Sequence, residues 1–267
     1  MGLRTERNRR KRKNTIILYA GLMGVAFCAA FTAVYFYAHW QDEAYYRSLS
    51  YSFAPKDDLC ESVDVPPLEE EDNTAPVEYI RPSLVDFESK RHETPGIEAW
   101  IRMDGTTLNY PVMYAIDNDY YLDRLPNGKK SSSGSIFIDC RNSPDFSDKN
   151  TMVYGHRMKS GAMFGALKYF VHQSYYDKHP VVSLFTPKGD FEVQLFASYS
   201  FDQTVEVPPT EFENAEEFDD FVRNTKRRST FKSDVEVNYG DRLVTLVTCE
   251  YTFKDGRLIV VGKLVEK

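Results

Sequence analysis

The chain has 267 residues, 27% of them charged, and a formal charge of −7. That length suffices for one substantial domain with its own core, and the net acidity argues against a polyanionic partner, which excludes nucleic acid. The four cysteines, Cys28, Cys60, Cys140 and Cys249, do not form a disulfide framework, although an oxidising compartment leaves a Cys60–Cys140 pair open. No CxxC or HExxH spacing occurs, so neither a metal nor another cofactor is expected.

At the N-terminus, residues 1–14 form a basic flank: Arg4, Arg7, Arg9, Arg10, Lys11, Arg12 and Lys13 stand against Glu6 alone. Residues 15–38, from Thr15 to Ala38, then run without a charge, long enough to span a bilayer core of about 30 Å. The pattern predicts a transmembrane signal anchor, with a cleaved signal peptide as the alternative. A basic cluster directly before an apolar span is a topology determinant: it stays cytoplasmic and places the C-terminal bulk outside the cell membrane.

Residues 39–78 read as an extracellular linker. His39 to Ser52 is expected as a short helix leaving the bilayer, with Trp40, Tyr45 and Tyr46 near the interface. Ala54 to Pro76 is rich in proline and acid and reads as a flexible spacer. The folded domain is expected over 79–267, with a helix at Ser83–Lys90.

Strands dominate from Trp100 onward. The expected ones are Ala99–Met103, Leu108–Met113, Gly134–Asp139, Asn150–Tyr154, Val181–Thr186, Phe191–Tyr199, Leu243–Cys249 and Leu258–Val265. Pro187-Lys188-Gly189-Asp190 turns one hairpin, and Asp255-Gly256 signals another turn. About eight short strands point to a closed barrel or a sandwich. Met163, Phe164, Leu167 and Phe170 form a short helical pattern. A longer helix follows Thr210 and Glu213, which make a capping box. Phe212, Ala215, Phe218, Phe221 and Val222 share one face of it, and Lys226, Arg227 and Arg228 close its last turn.

The chemistry concentrates in Leu243–Val265, where a hairpin would bring Cys249 and Arg257 close together. A thiol ending a rigid strand beside a fixed cation suits a nucleophile with a charge-stabilising partner. Of the five histidines, His156 has the best context for a base: it follows the strand Asn150–Tyr154 and Gly155, and precedes a loop. From the residues alone, Cys249 can also be inert core, as free cysteines often are, a lone His156 can be structural, and Arg257 can be a strand-surface residue.

The motifs decide between these. TLVTC at Thr245–Cys249 followed by Arg257, YGHRMKSGAMF at Tyr154–Phe164, GSIFIDCRN at Gly134–Asn142, DNDYYL at Asp117–Leu122 and PGIEAWIRMDGTTLNYPV at Pro95–Val112 resemble class B sortases. These are cysteine transpeptidases of Gram-positive bacteria. The resemblance spans about Ile80 to Val265 and implies a mainly β fold: an eight-stranded sortase-type barrel with a few peripheral helices, behind the membrane anchor. It implies Cys249, His156 and Arg257 as catalytic residues. Thr248, Glu250, Leu122 and Tyr121 are the expected substrate contacts.

The implied reaction cleaves an NPxTx-like C-terminal sorting signal of secreted proteins through a thioacyl-enzyme. The new carboxyl end is then joined to an amine of a peptidoglycan precursor, lipid II. Alternatives are a pilus-polymerising sortase that uses a pilin lysine, and an inactive barrel that only binds sorting signals.

Overall fold

The computed structural model describes residues 2–53, 86–249 and 255–267. The expected spacer, with Cys60, and the domain boundary at residue 79 lie outside the described residues. The chain divides into two units, Met1–Arg47 and Ser48–Lys267.

One helix, α1, runs from Gly2 to Phe53. The separate helix expected at His39–Ser52 is therefore a continuation of the apolar one, because no proline or glycine stands between Ala38 and Ser52 to break the ladder. Within α1, the stretch Ile17–Ser50 contains a window long and apolar enough to cross a membrane. Its side chains Leu22, Val25, Phe27, Phe31 and Phe36 are all exposed, as a lipid-facing surface requires.

The second unit is a closed eight-stranded barrel. Its strands are β1 (Ile97–Arg102), β2 (Asn109–Met113), β3 (Ile136–Ile138), β4 (Asn150–Tyr154), β5 (Val181–Thr186), β6 (Gly189–Asp202), β7 (Arg242–Cys249) and β8 (Gly256–Glu266). Around the barrel the order is β1-β2-β3-β4-β7-β8-β6-β5, closing back onto β1. Pairing is antiparallel except for β2–β3 and β4–β7. β6 outruns its sequence signal at both ends, because the polar Ser200 and Asp202 still pair with Leu258 and Gly256 of β8.

The near-continuous apolar run of β7 follows from burial on both faces. Leu243 and Val247 join a cluster with Met152, Phe196, Ile259 and Val261, onto which Phe218 and Val222 of a helix pack. Val244 and Leu246, which alternate to the opposite face, are fully buried as well.

The remaining helices are peripheral: α2 (Phe87–Glu93), α3 (Gln173–Tyr176) and α4 (Ala215–Arg228). The Asp86 side chain caps α2, accepting from the Ser89 N–H at 3.2 Å. Helix α4 begins later than the Thr210–Glu213 box suggests. Its N-cap is Asn214, which accepts from the Glu217 N–H at 3.0 Å, while Glu217 reaches back to the Glu213 N–H at 2.7 Å. Asn214 and Glu217 have the same spacing and chemistry as the expected pair, and the Thr210 carbonyl is already taken by the Asn150 N–H at 3.0 Å. Phe212, just ahead of the helix, meets Phe218 edge-on and Phe221 at a tilt, and fixes its entry. The Met163–Phe170 pattern forms a 3₁₀ helix over Phe164–Val171, with Phe164, Leu167 and Phe170 fully buried.

One surface pair gives the fold an acid-sensitive contact. Lys188, in the two-residue turn between β5 and β6, binds Asp145 at 2.5 Å. That hydrogen bond, helped by Ser147, holds the Asp145 carboxyl down at about 2. A depressed carboxylate stabilises the fold fully above its unfolded value of about 3.9, and the contribution disappears as pH falls toward the folded value. Thermal melts between pH 5 and 2 should therefore fall less steeply for Asp145→Asn than for the wild type; identical slopes would show that the pair is energetically silent.

Candidate active site

Three strand ends meet at one rim of the barrel. β4 and β7 run parallel with Tyr154 opposite Val247, and one step on, the Gly155 N–H donates to the Val247 carbonyl at 3.1 Å. Thus His156 and Cys249 leave the sheet at the same end. β8 starts there in the opposite direction, with Arg257 paired backbone to backbone with Cys249 on one side and with Phe201 on the other. The sequence separation of the three residues is undone by this register alone.

The strand ends open onto a cleft of about 260 Å³. Its lining includes His156, Arg257, Thr248 and Leu122 from among the sequence-derived candidates, together with Asn118, Tyr154 and Gln203. Thr248 is 2% exposed, and its hydroxyl has no hydrogen-bond partner among the described residues. Tyr121 is absent from the lining: it is buried, its ring meets Tyr120 edge-on, and its hydroxyl donates to the Pro95 carbonyl at 3.5 Å. Glu250 lies outside the described residues. Arg257 is half-buried, and its guanidinium donates to the Gly256 carbonyl at 3.0 Å.

His156 is held by the main chain. Its Nε2 lies 2.6 Å from the Leu122 carbonyl oxygen. A carbonyl only accepts, so Nε2 carries the proton in the neutral ring and Nδ1 carries the ring lone pair. The other wall of the histidine's setting is tight. A Cβ at Gly155 would stand 2.7 Å from the Phe164 ring. At Gly134, where φ is +56°, a Cβ would stand 2.5 Å from the Leu122 carbonyl oxygen and 3.0 Å from the His156 ring.

Gly134→Ala is accordingly expected to cost at least about 1–2 kcal/mol for the left-handed backbone alone. It should also lower activity by displacing the carbonyl that orients His156. A variant with unchanged melting temperature and turnover would remove this anchor from the argument.

Behind the cleft lies a polar network that the motifs contain but do not announce. Asp139, directly after β3, is fully buried. It accepts from Arg141 Nε at 3.0 Å and Nη2 at 2.7 Å, from the Arg141 backbone N–H at 2.9 Å, and from the Tyr154 hydroxyl at 3.0 Å. Burial alone would raise the Asp139 pKa; the hydrogen bonds and charge of Arg141, with a smaller part from Asn118, outweigh it and keep the carboxyl below its usual range. Burial first, and then the Asp139 charge, push the Tyr154 hydroxyl well above the ordinary tyrosine value. The Tyr154 ring stacks on Phe137, centroids 5.5 Å apart. Cys140, half-buried with a free thiol, gives its backbone N–H to the Asn118 side chain at 2.8 Å.

Among the described residues, no group of histidine, cysteine and acidic side chains could hold a metal ion. The cleft holds a cation, Arg257, and an imidazole, His156, oriented by a main-chain carbonyl, and Cys249 ends the strand that carries the lining residue Thr248.

Comparison with known proteins agrees with that chemistry. The sequence matches the Sortase domain family over residues 101–265. It is 36% identical over 190 residues to sortase B of Listeria monocytogenes, covering 70% of this chain and 76% of that one. Sortase B of Staphylococcus aureus is 36% identical over 191 residues, covering 71% and 77%. Among solved structures, the Staphylococcus aureus sortase B–substrate complex superposes with a TM-score of 0.73 at 32% identity, over 86% of this chain and 98% of that one. Sortase B from Bacillus anthracis in complex with AAEK1 does so with a TM-score of 0.70 at 31% identity, over 87% and 100%. The strand register that gathers the cleft, the barrel and these likenesses together assign the chain to the sortase family as a class B sortase, a cysteine transpeptidase.

Proposed function

We propose that this transpeptidase is anchored in the cell membrane by α1, with the basic flank in the cytoplasm and the barrel outside. There it cleaves an NPxTx-like sorting signal of secreted proteins and transfers the new carboxyl end to an amine of the peptidoglycan precursor lipid II. Cys249 is the nucleophile, His156 the base and then the acid, and Arg257 the electrostatic partner. The observation that carries this reading is the register around β7, with Arg257 paired to Cys249 on one side and the parallel strand leading to His156 on the other.

The steps follow from the groups. A free thiol has a pKa of about 8.5, so a proton must leave Cys249 before it attacks the scissile carbonyl. His156 takes it as the base. Arg257 stabilises the oxyanion with a planar set of donors. Collapse expels the amine, which His156 protonates, and leaves a thioacyl-enzyme. The acceptor amine then attacks, and the same groups act in reverse. Thr248 and Leu122, which line the cleft, are proposed peptide contacts, and so are Tyr121 and Glu250 on the strength of their motifs.

The test incubates the full chain in detergent with a small library of sorting peptides, with and without an amine acceptor, and follows intact mass. A thioacyl adduct on Cys249 that the amine discharges into a ligated product supports the reading. Discharge only by a pilin lysine would indicate pilus polymerisation. Peptide binding without an adduct would leave a signal-binding barrel.

Deleting residues 1 to about 75 should yield a soluble and active domain, since the anchor and spacer carry no chemistry in this reading. A folded product without turnover at saturating peptide would assign part of the site to the deleted segment.

A further inference from the structure

The site has a support that neither its motifs nor the nucleophile–base–cation scheme calls for. Asp139 is a fully buried carboxylate that accepts four hydrogen bonds from two residues, Arg141 and Tyr154. Tyr154 is the last residue of β4 and part of the cleft lining. It is gripped twice: its ring stacks on Phe137, and its hydroxyl donates to Asp139 at 3.0 Å. Two residues later the same strand delivers His156. The neighbouring Cys140 N–H grips the Asn118 side chain at 2.8 Å, so the turn after β3 braces a second residue of the cleft.

A buried carboxylate is costly unless its oxygens are satisfied, and here Arg141 satisfies both. Such a group is retained at a cost in stability where it fixes a geometry. An ionised carboxylate can only accept, so the Tyr154 O–H is committed to it and the phenol oxygen retains only acceptor capacity for any further partner.

We propose that Asp139, clamped by Arg141, is a positioning residue of the transpeptidation site: it fixes the Tyr154 ring and hydroxyl in the cleft wall next to His156. The inference rests on the reading of this cleft as the active site.

The full chain in detergent is assayed with the best peptide of the library in a double-mutant cycle of Asp139→Asn and Tyr154→Phe. Each single variant should lose about tenfold in kcat/KM, the size expected for one hydrogen bond to a charged group. The loss should fall mainly on KM, with the fraction of enzyme able to form the thioacyl adduct unchanged. The double variant should be no worse than either single one, because both remove the same contact. A merely structural role would lower the titratable fraction and leave kcat/KM per active site unchanged.

Losses that multiply to about a hundredfold, or an Asp139→Asn enzyme with wild-type kcat/KM, would overturn the proposal. Should Asp139→Asn fail to fold, Arg141→Gln takes its place in the cycle, since Arg141 orients the same carboxylate; the same outcomes apply. Cys249→Ala, run alongside, separates the two readings. If it still turns over peptide, the active-site assignment is wrong; if it is dead while the cycle is additive, only the positioning role fails.

Discussion

Cys249→Ala is expected to abolish both cleavage and ligation while leaving the fold intact. The substitution removes the attacking sulfur and little volume, and the backbone of residue 249 keeps its place in the ladder opposite Arg257. No adduct should appear by intact mass at any peptide concentration, while the circular dichroism spectrum and melting temperature stay near wild type. Cys140→Ala is the matched control. It removes the half-buried free thiol, whose residue contributes its backbone N–H to Asn118, and a backbone donor survives the change to alanine. Most activity should remain. Residual turnover by the Cys249 variant would mean that another group is the nucleophile.

Arg257→Lys keeps the charge and should still lose much of the activity. Lysine presents a compact ammonium and cannot reproduce the planar, multi-donor guanidinium at the same place. If Arg257 acts on the oxyanion, the loss falls on kcat and is on the order of 10²-fold, as for other oxyanion donors. If it holds the peptide in the ground state, the loss falls on KM instead. His156→Ala should be at least as severe, because it removes both the base and the acid. Steady-state kinetics over a wide peptide range distinguish these outcomes, and an Arg257→Lys enzyme with unchanged kcat and KM would take Arg257 out of the site.

The barrel was legible because its strands are strongly β-branched and apolar and are separated by clear turn residues. β4 and β5 fall at the expected residues, and β7 differs by one. Legibility failed where tertiary pairing overrides local signal. Ser200–Asp202 extend β6 only because β8 lies alongside, and nothing in their own side chains says strand. The start of α4 was ambiguous in principle: two consecutive capping boxes stand four residues apart, and the backbone engagement of Thr210 with β4 selects the later one.

The motifs located the rim where His156, Thr248 and Arg257 share a cleft. They could not rank the tyrosines of the DNDYYL stretch, because adjacent residues of a 3₁₀ turn point in different directions. Tyr120 is exposed and Tyr121 buried as a result. Asp139, Asn118 and Gln203 were missed as parts of one site. Asp139 stands inside a quoted motif, and a carboxylate directly after the apolar run Ile136–Ile138 is the signal that could have flagged it.

The circular strand order has a consequence for timing. β8 is the hinge plate of the barrel, wedged between β6 and β7, and β7 itself sits between β4 and β8. A chain that emerges N-terminal end first can thus lay down β1 to β6 with α4 and still present two unpaired edges, on β4 and on β6, and no cleft. β7 and its neighbour β8 arrive together as the closing pair, so a nascent or prematurely ended chain has no half-built version of the cleft: that cleft forms only with the stroke that seals the cylinder.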